Sequence, residues 1–222
     1  MEHLPISLYL LFAVTAILTL VLFLRAVGLS KTLISLLSLW IILQSVLSIS
    51  AFYQVTTVMP PRFMLLVLPP VILIFLTLLT KSGRAFIDGL NIGKLTVLHI
   101  IRIPVEITLY WLFLHKAVPE IMTFEGRNFD ILCGITAPIV YYFGYIKNVI
   151  HKKVLLAWNI ICLLLLANIV GTAVLSAPFP IQQFAFSQPN IALLYFPFAL
   201  LPGVIVPIVL FAHLVAIRKL IR

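Results

Sequence analysis

His99, Arg102, Glu106 and Tyr110 recur at intervals of three and four residues inside the apolar stretch Leu95–His115. On a helix advancing about 100° per residue they fall within an arc of roughly 80°, so one face carries an imidazole, a guanidinium, a carboxyl and a phenol. The rest of that stretch is Leu, Ile, Val, Phe and Trp with a few neutral polar residues. Facing lipid, an arginine or an ionised acid at the bilayer centre costs about 2.5–3.5 kcal/mol on insertion scales. The stripe must therefore face protein, a wet cavity or a partner.

Three chemistries fit these residue types. Arg102 and Glu106 stand four apart, and an ion pair between them would lock a bundle together, although the favoured order puts the acid first. Glu106 is alternatively a proton-titrating or cation-binding carboxyl with Arg102 adjusting its charge state, the default role of an intramembrane acid. Arg102 is thirdly a site for an anionic substrate. Pro104 lies between the two charges and leaves the carbonyl of Ile100 without its helical donor, so a kink with a free acceptor is expected there. His99 and His213 each lie about four residues inside the same end of their spans, and paired imidazoles ligate haem iron in some membrane proteins. No further motif accompanies them, so no cofactor is expected.

The elements that position these groups follow from composition. Of the 222 residues 63% are hydrophobic and 9% charged, with a mean hydropathy of +1.22. Soluble domains average about 45–50% apolar and about 25% charged, so the solvent for most of this chain is lipid. Apolar runs fall at 5–24, 33–54, 64–80, 95–115, 131–146, 154–176 and 191–217, and a helical span needs about 20 residues. The expectation is a single-domain, all-α polytopic bundle of seven spans over 1–222, with no separate water-facing domain.

Charge orients it. With the N-terminus outside, eleven of the 15 Lys and Arg fall in cytosolic segments, as Arg25, Lys31, Lys81, Arg84, Lys94, Lys147, Lys152, Lys153, Arg218, Lys219 and Arg222. Three, Arg62, Lys116 and Arg127, fall outside, and Arg102 lies within a span. Such a bias across short loops places the C-terminus in the cytosol, and location in a cell membrane follows. It also accounts for the net charge of +9 without nucleic acid, for which no interleaved basic and aromatic run is present. The opening Met1-Glu-His-Leu-Pro has no basic residue, whereas Arg25 and Lys31 follow the first run, so an uncleaved first span is expected.

The outer face is the more elaborate. Glu125, Arg127, Asn128 and Asp130 surround Gly126 in the loop Lys116–Asp130 and suit a polar ligand, a cation or a protein partner. Asn128 or Asp130 also suits the cap of the helix that begins at Ile131. The loop near Pro178–Asn190 is uncharged and carries Gln182, Gln183, Gln188 and Asn190. Pro61–Pro69 and Pro189–Pro197 share two prolines and a Leu pair at equal offsets, the pattern a duplication of three spans around a central one would leave. Prolines 69, 70, 197, 202 and 207 stand for fixed bends or hinges. Cys133 and Cys162 have no CxxC partner and read as buried free thiols, and no metal set is apparent.

Known classes narrow the function little. The last span has no lysine for retinal, and the Pro-Gln signature of small sugar transporters is missing from the first and fifth spans. HExxH, Gly-x-Ser-x-Gly and dinucleotide fingerprints are absent, leaving an intramembrane enzyme as a third option. Phe124-Glu-Gly-Arg-Asn-Phe-Asp130, Gln188-Pro-Asn190 and Pro202 to Pro207 are similar to an uncharacterised family of small bacterial multi-pass proteins. The resemblance covers most of the chain and implies no activity; for a bacterial chain the membrane would be the inner one. The residues point first to a small-solute, ion or proton transporter along the fourth span. A sensor or assembly partner acting through the outer loops, alone or as a homo-oligomer, comes second.

Overall fold

In a computed structural model describing residues 4–222 the chain is all-helical, with no strand among the described residues. Nine α-helices follow in order: α1 (Ile6–Val27), α2 (Lys31–Ile49), α3 (Met64–Leu79), α4 (Lys81–Asp88), α5 (Ile92–Leu98), α6 (Arg102–Leu114), α7 (Ile131–Tyr141), α8 (Lys152–Leu175) and α9 (Val206–Ile221). Residues 99–101 form a 3₁₀ turn that joins α5 to α6, making Ile92–Leu114 one 23-residue rod. The tightened turn sits just before Pro104, where the sequence places a break in the helical hydrogen bonds.

Among the described residues five segments are long and apolar enough to cross a bilayer: α1, α2, Ile92–Leu114, α8 and Leu201–Ile221. The sequence reading expects seven, and the differences have physical causes. α3 spans 16 residues and turns by 86° into α4 at Thr80, whose hydroxyl caps the new helix by accepting from Gly83 N at 3.2 Å. Ile131–Ile146 is helical over the expected range but shorter than a full span. The second run stops its helix at Ile49, and Phe52–Gln54 is a 3₁₀ turn. There Tyr53, fully buried, donates its hydroxyl hydrogen bond to Gln44. In the last run the helix begins at Leu201 rather than 191, after Pro197, and opens with a wide π turn over Leu201–Ile205. Pro69, by contrast, lies inside α3, so the two halves of the expected duplication adopt different structures.

Apolar side chains cover the outside of the bundle as well as filling its core. On α1 the inward face includes Thr15 and Thr19, whose hydroxyls donate to the carbonyls one turn back, at 2.7 Å each. Its outward face is Ile6, Leu10, Val14 and Ile17, each more than half exposed. Lipid-facing apolar side chains around a core that admits polar groups are what a membrane solvent selects. The Ile92–Leu114 rod and α9 sit at the centre, α5 packing against α1, α7 and α9, and α9 also against α8 and α3.

The two ends of the bundle differ. At one, Asp88 at the end of α4 meets Arg222 at 2.8 Å, and Lys219 donates to the carbonyls of Asp88 and Leu90. At the other, the two long loops interlock. Gln188 donates to the carbonyls of Phe113 and Val118, Ile191 N to Ala117 O, and Asn168 of α8 to Arg127 O. Gln188 and Asn190, the latter donating to Ala173 O, thus hold loops to helices.

Candidate functional site

The segment between α6 and α7 does not stay at the bundle end. From Arg102 to Leu114 the helix rises about 18 Å, yet Asp130 returns to Arg102, with Oδ1 2.6 Å from Nη1. Residues 115–130 therefore fold back to the middle of the rod, and Thr123, Asn128 and Asp130 are all buried. This explains why α7 is short: non-helical chain occupies the outer half of its column. Irregular backbone at that depth is tolerated only where protein or a cavity surrounds it.

Two glycines make the return possible. A Cβ on Gly126 would lie 2.3 Å from Glu120 O, inside the doubled-back loop. On Gly134 it would lie 2.8 Å from Ile103 Cγ1 and 3.0 Å from Ile103 N, because α7 lies directly against the start of α6. Gly134→Val is expected to lower stability by about 1–3 kcal/mol, as overpacking does, and to separate Asp130 from Arg102. Thermal unfolding of the purified protein checks this; an unchanged transition would contradict the close packing.

Arg102 is the hub. Its Nη1 donates to Asp130 Oδ1 and, at 3.3 Å, to the carbonyl of Cys162 on α8. Its Nη2 lies 2.9 Å from His213 Nε2 on α9. A guanidinium can only donate, so Nε2 accepts and the proton of this imidazole sits on Nδ1. Nδ1 then donates to Asn159 Oδ1 at 3.0 Å, and the Asn159 amide donates to Leu155 O one turn back. Three helices, α6, α8 and α9, and the loop that leads into α7 are thereby joined through one cation. Cys133 and Cys162 are both free and buried.

Glu106 stands apart from that hub. Its Oε1 and Oε2 each accept from Asn128 Nδ2 at 2.7 Å, and the same amide donates to Met122 O. Asn128 Oδ1 in turn accepts from Asp130 N. Among the described residues no Lys, Arg or His nitrogen lies within 4.0 Å of the Glu106 carboxyl. The buried site thus holds two carboxyls, Glu106 and Asp130, against one guanidinium.

The expected stripe is partly assembled. His99, Arg102 and Glu106 are each no more than 2% exposed. Tyr110 is half-buried, packs its ring 4.9 Å from Phe124 and faces Glu125, away from the cluster. An Arg102–Glu106 ion pair does not form. Helical side chains lean toward the N-terminus, so Arg102 reaches back to His213 rather than forward to Glu106. Asp130 stands at the N-cap of α7 but makes no capping bond, its carboxylate being taken by Arg102. Glu125 and Arg127 stay exposed.

His99 and His213 do share a depth, with ring centroids 3.8 Å apart and an interplanar angle of 13°. Stacked at van der Waals distance, with both His213 nitrogens engaged, they leave no room for an iron porphyrin between them. No cluster of three or more His, Cys, Asp or Glu side chains placed to hold a metal ion occurs among the described residues.

Asn159 and His213 are the members of the network that the stripe did not announce. Asn159 had a visible signal, one of two amides, with Asn168, in the apolar 154–176 run. Its connection to Arg102 through His213 depended on which faces of α8 and α9 meet, a tertiary fact.

Comparison with protein-family models finds no match, and neither curated proteins nor solved structures give one.

Proposed function

We propose that the protein is a small transporter that carries a proton or a small monovalent cation on Glu106. The observation behind this is a buried carboxyl that is hydrogen-bonded by Asn128 but has no cationic partner among the described residues. With Arg102 committed to Asp130, ionised Glu106 would leave one negative charge in a region sealed by protein and lipid. An uncompensated buried charge is costly enough that a proton or a bound cation must neutralise it. Asn128 supplies the orientation, and the charged or titratable groups near it are Asp130, Arg102 and Cys133.

In this reading α3 with the bent α4, and α7 with the inward loop, complete seven passes, with the basic end in the cytosol. Broken helices and inward loops around a mid-membrane acid are the usual construction of ion-coupled transporters. The state described is occluded, since Glu106, Asn128 and Asp130 are each no more than 4% exposed. Exchange with water requires the 123–130 segment to move off α6, the Arg102–Asp130 pair acting as its anchor.

A thermal-shift titration of the purified protein with Li⁺, Na⁺, K⁺ and NH₄⁺, and across pH, tests the binding step. Ligands of the native state raise its apparent stability. The expected result is a cation- or pH-dependent shift in the wild type that is missing from Glu106→Gln. A shift retained in the variant, or none in either protein, would remove Glu106 from the function and transfer attention to exposed Glu125 and Arg127 as a partner surface.

A further inference from the structure

The way Asn128 faces is fixed by backbone groups, without reference to Glu106. Its Oδ1 accepts from the N–H of Asp130 at 3.1 Å, and its Nδ2 donates to the carbonyl of Met122 at 3.0 Å. A flipped amide would set oxygen against the Met122 carbonyl and N–H against the Asp130 N–H, losing both bonds. The side chain therefore presents hydrogen, not oxygen, to the carboxyl. Asn128 is fully buried and Glu106 is 1% exposed, so the two meet away from bulk water.

The place where Nδ2 sits decides what Glu106 can hold. At 2.7 Å from both Oε1 and Oε2, it fills the position from which a metal ion chelates a carboxylate through its two oxygens. An alkali cation leaving water needs protein oxygens in place of its hydration shell. The oxygens at hand are already engaged. Met122 O takes the Asn128 amide, and Asp130 Oδ1 lies 2.6 Å from the Arg102 guanidinium, itself a seated cation.

A proton needs no such shell. It bonds to one Oε, and the other oxygen continues to accept from Nδ2. With Glu106 neutral, the charges of Arg102 and Asp130 cancel. The elements packed on α6 do not disturb this balance. On α7, Cys133 is a free thiol; α1 has no acid, and its one cation, Arg25, is exposed. Glu120, in the 3₁₀ turn that also touches α6, is exposed as well.

We propose that Glu106 binds a proton alone, and that Asn128, by holding an N–H at the chelating position, is the residue that excludes Na⁺ and K⁺. The inference rests on the reading of Glu106 as the carrier group and narrows its cargo to one of the two that reading admits. Asn128→Asp inverts the selectivity device: it gathers carboxylate oxygens from both residues and the Met122 carbonyl around one point.

The test is infrared difference spectroscopy of the full chain in neutral detergent across pH, in sodium chloride or choline chloride at equal ionic strength, with thermal unfolding alongside. A protonated carboxyl has a C=O stretch that a carboxylate lacks. The wild type is expected to show such a band titrating with pH, to lose it in Glu106→Gln, and to keep the same midpoint in both salts. Asn128→Asp is expected to gain a Tm higher by about 4 °C or more in sodium than in choline. Because two salts are compared on one protein, the variant's own loss of stability cancels. A wild-type band that sodium shifts or erases would overturn the inference and leave Glu106 as the carrier of a metal cation. No Glu106-dependent band and no sodium response would overturn it together with the carrier reading. An Asn128→Asp chain that sodium neither folds nor stabilises would overturn the role given to Asn128.

Discussion

Asp130→Ala is expected to lower the unfolding free energy by about 3–5 kcal/mol, the usual consequence of leaving one member of a buried ion pair alone. The geometry makes the loss severe. Arg102 is 2% exposed and Asp130 is its only acidic partner among the described residues, so the variant strands a guanidinium inside the bundle. It also frees the inward loop, whose remaining tie at that depth is Asn128. The double variant Arg102→Met/Asp130→Leu removes both charges and is expected to be more stable than Asp130→Ala, since a charge pair and an apolar pair of similar volume are often equivalent. Equilibrium unfolding in mixed micelles measures all three. A double variant no better than the single one would mean that Arg102 is held by something other than this pair.

Glu106→Gln is expected to behave oppositely: a nearly unchanged fold and a lost activity. No cation relies on this carboxyl, and the glutamine oxygen still accepts from Asn128 Nδ2. The variant gives up one hydrogen bond, worth about 1 kcal/mol, while removing the surplus charge. The same unfolding measurement separates the two acids, which lie side by side but have different jobs. If Glu106→Gln unfolds as readily as Asp130→Ala, Glu106 is a structural member of the lock and carries no ion. Ion uptake by reconstituted protein is the complementary readout, and there the variant is expected to match protein-free vesicles.

Sequence periodicity revealed the rod that carries the site, because four polar residues at helical spacing in an apolar stretch have few places to go, although the fourth, Tyr110, stays outside the buried cluster. It put His99, Arg102 and Glu106 on one buried face and placed His213 at the depth of His99. It left the partners open, and the Arg102–Glu106 ion pair that it held among three alternatives does not form. Arg102 and Glu106 are close in sequence, whereas Asp130 is 28 residues away on chain that hydropathy assigns to the outside. Polar residues in a buried loop and in a solvated loop look alike, since Glu125 and Arg127 are exposed while Asn128 and Asp130, one to five positions on, are buried. What distinguishes them is the close approach of α7 to α6 at Gly134, a packing relation that no local pattern encodes.

Five of the seven expected spans are single helices long and apolar enough to cross a bilayer among the described residues, and the others depart from that form for a related reason. Hydropathy measures the solvent around a segment, not its regularity, so the stretch from Ile191 to Ala199 scores as membrane although, with Pro197 in it, it lies outside the helix that follows. Likewise the break at Thr80 falls where the apolar run ends, and a capping threonine before Lys81 marks it, but no local pattern gives the 86° by which the chain turns there.

The most direct measurement is cation entry into vesicles reconstituted with the wild type or with Glu106→Gln, with a potassium-diffusion potential, negative inside, as the driving force. Internal pH and internal Na⁺ are followed together by fluorescence. The account expects the wild type to take up H⁺ or Na⁺ faster than empty vesicles, and the equally well-folded variant to fall to the empty-vesicle rate. Equal uptake by both proteins would contradict it and return Glu106 to the structural core.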